Sequence, residues 1–165
     1  MREFDTNGLR LCEYQAKLFE ASVDRFDCST SVFLRRFFYS KLLDKLDLNN
    51  SAIISLDINE GLDEIEEQFG KSDYGQIKRS KDSLFWLVYL YRYICYTRNV
   101  KTQFIMKTFK YDKLFELYEV YHTQDIEWCI SNLLDLYDLT EDYFDNNYRF
   151  KYYLMEDYIK YNSKN

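Results

Sequence analysis

Few residues of this chain have the types and spacing that catalysis requires. The lone histidine, His122, could serve as a general base or a metal ligand, but it has no paired Cys, Ser or second His within reach in sequence. The separation of Arg98 and His122 is also much wider than the spacing typical of helical ribonuclease toxins. We therefore predict a loop or cap position for His122, no catalytic residue and no enzymatic activity.

Clustered carboxylates and cysteines are the remaining candidates for acid–base or metal chemistry. Without a histidine or a second acidic cluster nearby, the acids of the predicted helix after Asp57 are interpreted as a solvated face: Asp57, Glu60, Asp63, Glu64, Glu66 and Glu67. The four cysteines have neither the spacing of a zinc site nor that of a disulfide framework, which predicts reduced and mostly buried thiols. The sequence predicts no metal site and no cofactor.

The element around which these residues must be arranged is a predicted helix over about 81–98. It is apolar nearly all round until Arg92, so other helices must surround it, and Ser80 is its candidate N-cap. A membrane span needs about 20 predominantly apolar residues, whereas Asp82 and Arg92 lie only ten positions apart. We predict a buried core helix, with these side chains in the core: Leu84, Trp86, Leu87, Leu90, Tyr91 and Ile94.

Composition favours an all-α fold. Proline is absent and only four glycines occur, so the usual turn signals of β-sandwiches and barrels are missing. We predict one compact domain over 1–165, a bundle of six to seven helices around the central helix, with 140–165 as a possible helical extension. Other predicted helices cover 8–25, 31–46 (packed on the central helix), the segment from Asp57 to Gly70, and 124–137 with Thr123 as its cap.

Charge separates the last third of the chain from the rest. Residues 111–165 contain 12 acidic and 5 basic residues, and the formal net charge of the whole chain is -6. This balance disfavours direct nucleic-acid binding and favours a basic protein partner. The candidate partner-binding surface combines acids with tyrosines: Tyr118, Tyr121, Asp135, Tyr137, Asp138, Glu141, Asp142, Tyr143 and Asp145. Alternatively, the tyrosines belong to the core and the acids only solvate the fold.

A basic pair, Arg35 and Arg36, lies on the narrow polar face of predicted helix 31–46. It could contact a carboxylate or a phosphate, or it could be solvated or paired locally. The N-terminus has no apolar signal-peptide segment, so we expect a cytoplasmic protein. Self-association is left open by the sequence.

Four motifs in order carry a family resemblance: SVFLRRFFYSKLLDKLD (31–47), DEIEEQFGKSDYG (63–75), SLFWLVYLYRYICYT (83–97) and ELYEVYHTQDIEWCI (116–130). They resemble an uncharacterised family of small helical proteins of Gram-positive bacteria and their phages. Genes of that family often lie beside a gene for an ADP-ribosyltransferase-like toxin. The resemblance covers roughly residues 15–130, implies an antitoxin or regulatory role, and supplies no active residues.

These observations lead to one functional hypothesis and one alternative. The hypothesis is a non-enzymatic inhibitor of antitoxin, immunity or phage anti-defence type, which binds a toxin or defence protein through the acidic, tyrosine-rich surface. The alternative is a DNA-binding transcriptional regulator that uses helix 31–46 with Arg35 and Arg36.

Overall fold

The described part of the chain is helical, which confirms the all-α prediction. The computed structural model describes residues 1–49, 52 and 55–145 and contains no β-strand among them. Two units follow one another in sequence, Met1–Gln124 (unit 1) and Asp125–Asn165 (unit 2). Eight helices are defined within the described residues: α1 Thr6–Arg25, α2 Thr30–Phe38, α3 Lys41–Asp47, α4 Ile58–Phe69, α5 Lys81–Arg98, α6 Thr102–Thr108, α7 Tyr111–Tyr121 and α8 Ile126–Leu136.

Helix α5 has the bounds that the sequence predicted. Ser80 caps it, because the Ser80 side chain accepts a hydrogen bond from Ser83 N. Of the six predicted core residues of this helix, five are buried, but Trp86 is only partly buried and meets Tyr118 of α7 edge-on, with ring centroids 5.7 Å apart. The prediction that Trp86 is buried in the core is therefore wrong. No helix among the described residues has both the length and the apolar character needed to cross a membrane.

Helix α1 packs along α5. Gly8 allows the close approach, since a Cβ at this position would lie 2.6 Å from the Tyr96 ring. Further along the helix, the Gln15 side chain donates to the Val88 carbonyl at 2.9 Å. This bond gives a buried polar side chain a partner on the neighbouring helix, and so it fixes α1 in register with α5.

The predicted helix 31–46 is wrong in one respect, because the structure divides it into α2 and α3. The break lies at Tyr39 and Ser40. Ser40 Oγ donates to the Phe37 carbonyl at 2.7 Å and accepts from Leu43 N at 3.1 Å, so this serine ends one helix and caps the next. A serine side chain competes for backbone groups in this way, which is why it favours helix caps over helix interiors.

Helix α4 and the segment after it are held against the start of α2. Asp57 and Glu60 form the predicted capping box, and Gly70, with φ 75°, ends the helix. The following segment 71–80 is not helical, but it is fixed by main-chain bonds: Ser29 N donates to the Tyr74 carbonyl and Thr30 N to the Ile77 carbonyl, each at 3.0 Å. This predicted linker therefore has a defined path over unit 1.

Unit 2 is described up to Asp145. Asp125, and not the predicted Thr123, caps α8: its carboxylate accepts from Glu127 N at 2.9 Å and from Trp128 N at 3.2 Å. The buried side of α8 is formed by Cys129, Ile130, Leu133 and Leu134. Residues 142–145 are helical, as predicted from Thr140 onward, and the rest of the proposed extension 140–165 lies outside the described residues.

Candidate functional site

The residues that could support catalysis are not brought together in the described part of the chain. His122 is the exposed C-cap of α7, where its ring stacks on Tyr118 with a centroid distance of 4.5 Å. No group of three or more His, Cys, Asp or Glu side chains in the described residues could hold a metal ion. All four cysteines are free and buried, as predicted. Burial raises the pKa of the Cys12 and Cys95 thiols to about 12, so neither supplies a thiolate nucleophile near neutral pH.

The acids of α4 have a structural role, because several of them form ion pairs with neighbouring helices. Arg25 on α1 donates to Asp63 at 2.8 Å and to Glu66 at 2.7 Å, and Lys45 on α3 pairs with Glu64 at 2.6 Å. These partly exposed pairs link three helices. They leave few free carboxylates on the middle of this helix for a ligand.

A buried ionic cluster within unit 1 was not predicted from sequence. Arg92 of α5 is fully buried and donates to Asp47 Oδ1 at 3.0 Å, to Gln15 Oε1 at 3.0 Å and to Thr102 Oγ1 at 2.9 Å. Asp47 also accepts from Thr102 N at 3.1 Å. Every contact of this guanidinium is internal, so the cluster joins α1, α3, α5 and α6 and presents no group to a ligand. The only sequence signal was an arginine inside an apolar helix.

The predicted partner-binding residues fall into both units. Tyr118 and Tyr121 lie on α7 in unit 1. Tyr118 is half-buried against Trp86 and His122, and Tyr121 is buried, so the expectation that Tyr121 faces a partner is not supported. The other seven residues lie in unit 2, where the acids are exposed and the two tyrosines are half-buried: Asp135, Tyr137, Asp138, Glu141, Asp142, Tyr143 and Asp145.

The charge of the segment 125–145 is entirely negative. It contains seven acidic residues and no Lys, Arg or His. Four of its exposed carboxylates form no ion pair or hydrogen bond with any described residue: Asp135, Asp138, Asp142 and Asp145. We call these four the acidic set. Asp63, Glu64 and Glu66 of α4, in contrast, are paired with cations of unit 1.

The predicted basic pair does not act as a pair. Arg36 donates to the Gly70 carbonyl at 2.6 Å and lies over the Phe69 ring at 6.0 Å, so it fixes the end of α4. Arg35 is exposed and forms no hydrogen bond or ion pair within the described residues; it lines an open groove together with Lys107. The DNA-binding alternative uses the predicted helix 31–46, which the structure divides into α2 and α3.

Comparison with other proteins gives no independent assignment. No family model, no curated protein and no solved structure matches this chain. A function for the protein therefore has to be proposed from its own residues and from the motifs quoted above.

Proposed function

We propose that this protein is a non-enzymatic, protein-binding inhibitor of antitoxin, immunity or phage anti-defence type, which binds a basic protein through the segment 125–145. The observation that carries the proposal is the acidic set: four exposed carboxylates that form no ion pair with any described residue, in a segment that has no cation of its own. The family resemblance supports the same class of function.

Like charges held close together repel, and this repulsion opposes folding of the segment. A basic partner neutralises this repulsion when it binds. Before contact, its positive charge is attracted by the negative charge of the segment. Complementary charge of this kind raises association rates about 10- to 1,000-fold at low salt and is screened beyond about 8 Å at physiological ionic strength. We therefore expect the acidic set to act mainly on the association rate.

Aromatic residues next to these charges supply contact area once the partner has arrived. Tyr137 is the C-cap of α8 and Tyr143 lies between two acids of the helical turn 142–145; both rings are half-exposed. Tyrosine is enriched at protein interfaces because it brings a large area at a small entropic cost. Tyr118 and Tyr121 lie in unit 1 and are not part of this proposal.

The finer parts of the proposal concern location and organisation. Four free, buried cysteines suit a reducing compartment, which supports a cytoplasmic protein. The single domain over 1–165 stays a prediction. Within unit 1, α1, α6 and α7 all contact α5, which supports α5 as the central helix of this unit.

The test is co-expression with the product of the adjoining gene, followed by measurement of association rates over a range of NaCl concentrations. In the first variant, the acidic set is changed to Asn. Asn is chosen because Asp138 has a left-handed backbone (φ 53°), which Asn tolerates. A control variant changes to their amides four exposed acids of unit 1 that form no ion pair with any described residue: Asp27, Asp44, Glu67 and Asp73.

Both variants lose the same number of negative charges, so a general effect of net charge would slow the association of both equally. We expect the first variant to associate at least about tenfold more slowly at low salt and to lose most of its salt dependence, with the control close to the wild-type protein. Failure of the two proteins to co-purify, or equal rates in both variants, contradicts the proposal. A specific shift of the promoter DNA of its own gene would instead support the regulator alternative.

A further inference from the structure

An open groove of about 490 Å³ lies on unit 1, between α2, the segment 71–80, α6 and the start of α7. Ligand pockets in proteins have volumes of roughly 300–1,000 Å³. The residues of the groove that bear on its chemistry are Arg35, Tyr39, Tyr74, Met106, Lys107 and Tyr111. None of them belongs to the acidic set or to the buried cluster around Arg92.

The groove is positively charged. Arg35 and Lys107 line it, no carboxylate does, and neither cation has an ion pair or hydrogen bond within the described residues. Two other cations of unit 1 are occupied: Arg36 donates to the Gly70 carbonyl, and Lys78 donates to the carbonyls of Val23 and Phe26. A guanidinium offers five N–H donors and an ammonium three, in geometries that suit phosphate oxygens.

The groove also presents flat aromatic surface. Tyr39 and Tyr74 are 67% and 77% exposed, which is high for large side chains. Tyr111 and the thioether of Met106 complete this part of the lining. Exposed rings beside cations form a platform on which a planar base can stack.

The walls of the groove are fixed before any ligand arrives. Gln103 of α6 donates to the Phe38 carbonyl at 3.1 Å, which joins α6 to the end of α2. The Tyr74 carbonyl accepts from Ser29 N at 3.0 Å. The next residue, Gly75, has φ 79°, and a Cβ there would lie 2.5 Å from Ser29 Oγ, so glycine is required for this close contact. A preformed site loses little entropy on binding.

We propose that this groove binds a nucleotide, with its phosphate held by Arg35 and Lys107 and its base stacked on the tyrosines. An inorganic anion would use the two cations but leave the exposed rings without a role, whereas a neutral aromatic compound would leave both cations unpaired. The net negative charge of the whole chain does not oppose the site, because charges beyond about 8–10 Å are screened in physiological salt. This site is independent of the proposed inhibitor function and would stand if that function failed.

The test is isothermal titration calorimetry of the full chain with the four common ribonucleoside monophosphates, and with adenosine, inorganic phosphate and a short single-stranded oligonucleotide for comparison. We expect at least one monophosphate to bind with a Kd below about 1 mM, and adenosine and phosphate to bind at least about tenfold more weakly. The variant R35Q/K107Q should weaken nucleotide binding at least about tenfold. The matched control R10Q/K101Q removes two exposed cations that do not line the groove and form no ion pair within the described residues, and it should change the Kd less than about twofold.

A second pair of variants tests the aromatic contact. Tyr74→Ala should weaken nucleotide binding, and Tyr74→Phe, which keeps the ring, should restore it. The proposal is overturned if no monophosphate binds, if phosphate alone binds as tightly as a nucleotide, or if R35Q/K107Q and R10Q/K101Q behave alike. Binding of the oligonucleotide without any monophosphate overturns it as well, because the groove would then be part of a track for a strand. Since all of these side chains except Tyr111 and Met106 are largely exposed, circular dichroism should show that the variants fold.

Discussion

Replacement of Arg92 by Met is the most direct test of how unit 1 is held together. Methionine nearly preserves the length of the side chain but removes a fully buried charge that makes hydrogen bonds to Gln15, Asp47 and Thr102. Asp47, whose side chain is 7% exposed, would keep its bonds from Thr102 but lose its only cation. Breaking a buried pair in this way costs about 3–5 kcal/mol. That is a large share of a typical total stability of about 5–15 kcal/mol.

A second variant shows whether the cost comes from the stranded carboxylate. In R92M/D47N the amide oxygen can still accept from Thr102 N, and no charge remains buried. We therefore expect R92M/D47N to be more stable than R92M alone, because removal of both charges of a buried pair is often nearly neutral. If the double variant is as unstable as the single variant or less stable, the stranded charge is not the cause.

The measurement is urea unfolding followed by far-UV circular dichroism, with the midpoint and the slope m compared between variants. An unchanged m-value licenses the free-energy comparison. Arg10→Met is the control, since Arg10 is exposed on α1 and unpaired within the described residues, and its effect should stay within about 0.5 kcal/mol. A loss below about 1 kcal/mol for R92M would refute the structural role of the cluster.

Three further predictions concern other parts of unit 1 and the thiols. Gly61→Ala should destabilise the protein although alanine favours helices, because the new Cβ would lie 2.5 Å from Tyr14 Oη; urea unfolding measures this, and a stabilised variant would contradict it. The thiols should resist iodoacetamide at pH 8 until urea unfolds the chain, because burial raises the pKa of the Cys95 thiol to about 12. Mass spectrometry measures the alkylation, and rapid alkylation of the native protein would contradict this prediction. Hydrogen bonds from the Tyr96 hydroxyl, at 2.6 Å, and from the Gly8 amide lower the pKa of the Asp5 carboxyl in the folded state. The stability that this carboxylate contributes is therefore present above the unfolded pKa of about 3.9 and is lost as the pH falls through the lower folded pKa. Asp5→Asn should flatten stability against pH in that acidic range only, and an unchanged acid profile would count against the bond.

Local patterns predicted the helices whose ends are marked by local chemistry. Asp57 with Glu60, and Ser80 before an apolar run, are signals that act over three or four residues, and both caps are present in the structure. The prediction of helix ends failed where the local sequence allowed two interpretations equally well. Ser40 lies inside the predicted helix 31–46, yet in the structure it ends α2 and caps α3. Thr123 and Asp125 lie two positions apart, and either could have capped α8.

Long-range contacts could not be predicted in this way. The partners of Arg92 lie 45 positions away at Asp47 and 77 positions away at Gln15, so no window of helical periodicity contains them. The groove was missed for the same reason, because its lining comes from α2, the segment 71–80, α6 and the start of α7. The tyrosines posed a different problem: Tyr118 and Tyr121 were both predicted to face a partner, but only the packing shows that Tyr121 is buried.

The formal net charge of -6 conceals two regions of opposite and unmixed charge. The segment 125–145 has no cation, and the groove on unit 1 has no carboxylate in its lining. The salt dependence of binding alone cannot separate the two proposals, since screening weakens the binding of a basic protein partner and of a nucleotide alike. The paired variants can, because each changes one sign of charge at one place. Neutralising the acidic set removes no side chain that lines the groove, and R35Q/K107Q removes none of the carboxylates proposed to bind a basic partner, so we expect each variant to change mainly its own binding event. If either variant altered both binding events by tenfold, the charges of the two regions would not be independent, and neither assignment could rest on local charge.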